Sequence, residues 1–162
     1  MLELSKRHAF ARALVNSGRL SVPSTLHGSP LNTPDVDAFA GPMAPGAPAA
    51  DAPIVCAHGG TGWLLRELCP ASSTEAATRF TALVFGEGEV TERSLRVLAQ
   101  ADLPLHIVRV AATGEGELAA HRYDAQPGTV YLLRPDQHVC ARWRNPTPEV
   151  VRAARDRALA KA

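Results

Sequence analysis

Along residues 2–15 the apolar side chains fall at Leu2, Ala9, Phe10, Ala13 and Leu14, one stripe at helical spacing. This predicts a helix buried on one side and stopped near Gly18. From residue 21 to 53 no period survives. Seven of the 13 prolines lie there, several within GPMAPGAPAADAP, and such density excludes helix and central strand. The stretch reads as a long Pro-rich arm, an uncommon feature inside a compact domain.

Regular alternation begins at Pro53. PIVCA is a short apolar strand, and Thr61 is placed to cap a short helix through GWLLREL. The continuous apolar run FTALVFG (80–86) predicts a buried strand. Thr91 then opens a helix with Leu95, Leu98 and Ala99 inward, and LHIVRV (105–110) forms a further strand. Residues 111–128 form a loop with room for one helical turn.

TVYLLRPDQHVCARWR (129–144) is a hairpin, because Pro135 presets φ for a turn and Asp136 stands beside it. On its return strand, alternation sends Val139, Ala141 and Trp143 one way and His138, Cys140, Arg142 and Arg144 the other. Thr147-Pro148-Glu149 is a helix start, and Val150, Val151, Ala154 and Ala158 are that helix's apolar stripe. Two crossovers, an antiparallel hairpin and a covering helix give an α/β class, a thioredoxin-like sandwich (βαβαβ-ββα) behind an N-terminal helix and arm.

Composition narrows the function classes. The chain has 162 residues, 46% hydrophobic and 20% charged, with net charge +1. No apolar run approaches the ~20 residues of a membrane span, and the N-terminus shows no signal-peptide pattern. The expectation is a cytoplasmic protein without a membrane partner. Three cysteines, Cys56, Cys69 and Cys140, lack CxxC spacing and suit reduced thiols. Both ends are basic and the middle is acidic. The basic ends lack glycine–aromatic interleaving, so solvated helix faces are expected rather than a nucleic-acid surface.

Chemistry-bearing motifs are sparse. A thioredoxin-like enzyme carries CxxC after its first buried strand, where a helix N-terminus stabilises the thiolate. Here that loop is GEGEVT (86–91), whose glutamates would raise a thiol pKa. GGTG (59–62) has neither the P-loop lysine nor a full GxGxxG and reads as a glycine turn. Cys56-x-His58 and His138-x-Cys140 could together offer zinc four ligands, but they lack the CxxC knuckle. No metal, catalytic or cofactor-binding residue is assigned.

The segments NSGRLSVPSTLHGSPLNTPD (16–35), PGAPAADAPI (45–54), GWLLREL, FTALVFG and the 129–144 hairpin occur in an order that resembles one family region. The chain resembles the C-terminal domain of FAD-dependent aromatic-ring hydroxylases of the phenol and 3-(3-hydroxyphenyl)propionate type. Gln137 departs from the pattern, since the family has glycine there. The resemblance implies a thioredoxin-like domain that has lost its redox cysteines, following a flavin- and substrate-binding body. That body's GxGxxG and Gly-Asp motifs do not occur here, so the family's FAD is expected to have no site on this chain.

The implied division is residues 1–20 as the end of such a body, 21–53 as the arm and 54–162 as the domain. The expected role is a non-catalytic accessory domain that stabilises, docks or oligomerises. Partners would be a flavin-binding body or a second copy. Phe10 and Leu14 on the first helix, and Arg142 and Arg144 facing water or another subunit, are the interface candidates. The arm is expected to be cut by proteases, leaving residues 54–162. Two alternatives stand beside this role. One is a free-standing single-cysteine enzyme using Cys140; the other is an aromatic-ligand module using Trp63, Trp143 and Tyr131.

Overall fold

The computed structural model describes Lys6, His8 and residues 23–55, 60–68 and 79–161. The helix expected at 2–15, with Phe10 and Leu14, lies outside the described residues, as do Cys56, His58, Gly59 and Cys69. What is described is a mixed α/β architecture with two sheets and four α-helices.

The organising strand is β3 (Phe80–Phe85), buried along its whole length. A strand covered on both faces can be apolar at every position, which is why FTALVF shows no alternation. It pairs in parallel with β4 (Leu105–Val110) and antiparallel with β5 (Val130–Leu133). β5 in turn pairs antiparallel with β6 (Val139–Trp143), giving the order β4-β3-β5-β6. Helix α2 (Glu89–Gln100) makes the crossover from β3 to β4. After β4 come a 3-10 turn (Gly114–Gly116) and helix α3 (Glu117–Arg122). The last helix among the described residues is α4 (Pro148–Ala158); Thr147 stands extended at its N-cap position, but its hydroxyl makes no capping hydrogen bond.

Two apolar clusters sandwich this sheet. Ala82, Val84, Leu132 and Trp143 meet Leu98 of α2 and Val151 of α4 on one face. On the other, Leu83, Phe85, Tyr131 and Val139 meet Tyr123 and Ile54. Trp143 thus packs against the final helix.

Four expectations are corrected. First, β1 (Pro53–Val55) does not join the main sheet. It pairs antiparallel with β2 (Thr61–Trp63) in a two-stranded sheet of its own. Both edges of β3 are already taken, and Thr61 therefore sits in a strand rather than at a helix cap. Helix α1 (Leu64–Leu68) starts later. The Asp51 carboxylate accepts the Leu65 N–H at 3.0 Å, so the DAP triplet caps α1 from outside it.

Second, the buried positions of the longer helices are shifted. Ala99 is exposed on α2, where Thr91, Ser94 and Leu98 are buried instead. Thr91 and Ser94 are satisfied there by donating to Phe85 O (3.2 Å) and Gly128 O (2.7 Å). On α4, Val150 is exposed while Val151 and Ala154 are buried.

Third, β6 does not alternate regularly. The pairing jumps between Leu132↔Ala141 and Leu133↔Val139, leaving Cys140 as the extra residue of a bulge. An extra residue flips the side chains beyond it to the other face. Cys140 consequently joins Ala141 and Trp143 in one cluster, and Val139 belongs to the opposite one.

Fourth, the described part of the arm is no free tether. It runs along the outer edge of β6: Gly46 N–H donates to Val139 O, Val139 N–H to Ala47 O, and Ala49 N–H to Gln137 O, at 2.7–2.9 Å. Further out, Thr33 N–H reaches Cys140 O at 2.8 Å. Proline cannot serve a sheet centre but is tolerated on such a border, where its missing donor faces away.

Candidate functional site

The densest polar constellation lies where the arm meets the Arg-Trp-Arg of β6. In an extended segment, residues two apart share a face. Asp35, Asp37 and Phe39 are spaced that way on the arm, and Arg142 and Arg144 on the strand. The Arg142 guanidinium donates twice to the Asp35 carboxylate, at 3.0 and 2.7 Å, a fork-to-fork pair. Asp37 accepts the Arg144 backbone N–H at 2.7 Å. Phe39 sits between the two cations, its ring centroid 4.4 Å from the Arg142 guanidinium carbon and 3.9 Å from that of Arg144.

Arg144 also pairs with Asp124 at 2.7 Å. The Ala40 N–H at 2.9 Å, aided by Arg144, holds the Asp124 carboxyl below its ordinary range. Beneath Phe39 lie Tyr131 and Tyr123, edge to face at 5.1 Å. The Tyr123 hydroxyl donates back to Ala50 of the arm at 2.9 Å. Burial pushes both phenols up in pKa, so they act here as donors and apolar mass.

Arg142 and Arg144 therefore turn inward onto their own chain. Arg142 is 4% exposed, contrary to the outward orientation read from alternation. The matching D-x-D-x-F and R-x-R spacings are the sequence signal that could have found this clasp. Its purpose, in chemical terms, is holding: every cation is matched by an anion or a ring.

The turn between β5 and β6 carries Gln137 at φ 64°, the left-handed region that glycine occupies without strain. The departure from the family's glycine thus falls at a position whose backbone asks for it. His138 stands next to it, its Nε2 2.9 Å from Ser24 O, so this ring too is used to hold the arm.

Cys140 is buried in the cluster of Ala141 and Trp143. Its thiol donates to Leu132 O at 3.3 Å, and desolvation pushes its pKa up to about 12. A thiol held protonated is a poor nucleophile and metal ligand. Among the described residues no group of three or more His, Cys, Asp or Glu could hold a metal. Trp63 is exposed, while Trp143 and Tyr131 are buried in different clusters, so the three aromatics do not form one binding surface.

The strand-to-helix turn after β3 is built by Gly86 (φ 90°) and Gly88 (φ 84°). A flavin pyrophosphate needs such a turn followed by a helix N-terminus free to receive negative charge. Here Glu87, Glu89 and Glu92 crowd that terminus, so these residues do not fit the group. The GGTG alternative runs into strand β2. Beside the turn lies a groove of ≈ 830 Å³ along β4, with α2 on one wall and β1 and α1 on the other. No described helix is long and apolar enough to cross a membrane.

No family model and no curated protein matches the chain. Solved structures do. The flavin-dependent monooxygenase PieE, solved with FAD and substrate, is 17% identical over 91% of this chain, with a TM-score of 0.60. Aklavinone-11 hydroxylase, solved with FAD and aklavinone, is 18% identical over 90%, at 0.61. The rebeccamycin biosynthetic enzyme RebC is 23% identical over 99%, at 0.55. The chain spans 26–28% of the length of these three flavoenzymes. Fold likeness and sequence resemblance point to the same group of proteins.

Proposed function

We propose that this chain is a non-catalytic accessory domain of an FAD-dependent aromatic hydroxylase, with a structural, docking or oligomerising role. One observation carries this reading: the likeness covers nine-tenths or more of this chain and only about a quarter of each flavoenzyme. The finer assignment is a thioredoxin-like unit that begins at β3. It is supported by the order β4-β3-β5-β6, with one parallel pair and two antiparallel ones. On that reading the arm and the β1–β2 hairpin are additions, and the Gly86–Gly88 turn stands where a redox relative carries its CxxC. The partner would be a flavin-binding body, with Phe10 and Leu14 as candidate contacts.

The test is co-expression with a flavin-binding body from the same genome that lacks such a domain. The chain should copurify with the body and raise the temperature at which it releases FAD. Alone, it should bind no FAD and leave dithiothreitol-driven insulin reduction at the uncatalysed rate. A body indifferent to the chain, or stoichiometric FAD on the chain alone, would refute the reading.

A further inference from the structure

We propose that the outer edge of β4 is a docking strip for an extended, lysine- or arginine-bearing segment of another polypeptide, added as a fifth strand. The strip belongs to the sheet itself and needs no flavin-binding neighbour. The Gly86 N–H donates to Val110 O at 2.8 Å, so the backbone of Val110 points in towards β3. In a parallel pair the backbone groups of alternate residues face the same way, so the N–H and C=O of His106 and Val108 point towards β3 and those of Ile107 and Arg109 outward. The Leu105 N–H is taken by Leu103 O at 2.8 Å. The N–H and C=O of Ile107 and Arg109 meet no backbone partner among the described residues.

Proteins blunt such edges with charged side chains, proline, a bulge or a cover, and on β4 the charge, Arg109, is already neutralised by Glu92. Leu105–Val110 has no proline and no glycine, pairs with β3 in unbroken register, and leaves Ile107 40% exposed. The edge lies in the ≈ 830 Å³ groove, whose walls offer apolar Val55 and Leu95. Its charge selects the occupant. Glu67, Glu87 and Glu92 line it against a single arginine, Arg109, which Glu92 pairs at 3.1 Å. Glu67 and Glu87 meet no cation among the described residues. His106, whose Nδ1 is shielded from solvent with no partner among them, lines the groove too. A second copy would bring the same carboxylates into the same seam; a basic segment would neutralise them while its backbone completes the sheet.

Fluorescence anisotropy with the full chain tests this. The probe is a labelled, end-capped octapeptide of alternating lysine and valine. Its controls are the glutamate–valine octapeptide and a lysine–valine version N-methylated at every second amide. The lysine probe should bind about tenfold or more tighter than the glutamate one, and N-methylation on the pairing side should abolish binding. Ile107→Pro, which removes an outward donor, should do the same. Glu67→Lys with Glu87→Lys, a change at partly exposed positions that leaves the core intact, should invert the charge preference. The proposal fails if neither probe binds, if both bind alike, or if N-methylation has no effect. It also fails if the free chain sediments as a dimer that Ile107→Pro dissociates, since the strip would then belong to a second copy.

Discussion

The two edges of the four-stranded sheet are treated in opposite ways. The β6 edge is covered by the chain's own arm, through backbone bonds, two aspartate–arginine contacts and a phenylalanine held between guanidinium groups. The β4 edge carries one exposed ion pair, Arg109–Glu92, and no cover among the described residues. Arginine stands on both edges, and its surroundings decide what it contributes. A guanidinium removed from water must be matched or it destabilises, whereas an exposed one is well solvated either way.

The strongest challenge to this contrast is Arg142→Ala. It strands Asp35 and strips one face of Phe39, and unfolding by urea should show a loss of about 3 kcal/mol. The arm should also become sensitive to thermolysin. Trypsin cannot report this, because residues 20–65 contain no lysine or arginine. Full protection of the arm in Arg142→Ala would mean that its backbone bonds hold it unaided.

Gly46→Ala probes the backbone seam separately. At φ 97°, an added Cβ would lie 2.4 Å from Leu26 O. A loss of about 2 kcal/mol is expected, with the same thermolysin sensitivity.

Cys140 lies at the bulge on the covered edge, and its effect depends on pH. Its pKa is raised in the folded state, from 9.0 to about 12, so the stabilisation is complete below pH 9. It is lost as pH rises from 9 towards 12, because the unfolded chain releases the proton and the folded one retains it. Relative to Cys140→Ala, the parent should lose about 1 kcal/mol between pH 7 and 9.5 in urea titrations. Parallel curves would show that the thiol reaches solvent.

The smallest effect belongs to the open edge. Arg109→Ala should shift stability by less than about 0.5 kcal/mol in the same assay. A loss comparable with that of Arg142→Ala would abolish the distinction between the edges.

How far the sequence could be read depended on the range of the interactions involved. Strands β3 and β4, the Pro135 turn and the Thr147-Pro148 helix start are set by neighbouring residues, and each appears within a residue or two of its expected place. Sheet membership of β1 was not legible, because a three-residue strand does not reveal its partner. The bulge at Cys140 was equally hidden, being a property of two paired strands rather than one. The inward turn of Arg142 and Arg144 escaped alternation for the same reason. Local pattern shows which residues share a face, and only the distant D-x-D-x-F shows what covers that face.

The clasp also orders events during synthesis. Asp35 and Arg142 are 107 residues apart, so at ribosomal rates the arm waits about 5–20 s for its strand to emerge. A segment left unpaired that long is exposed to wrong partners. Its seven prolines break the run of free donors and lower its strand propensity, which keeps it from templating aggregation while it waits. The cover that ends as the sheet's border is thus built from sequence that cannot easily become a border to anything else.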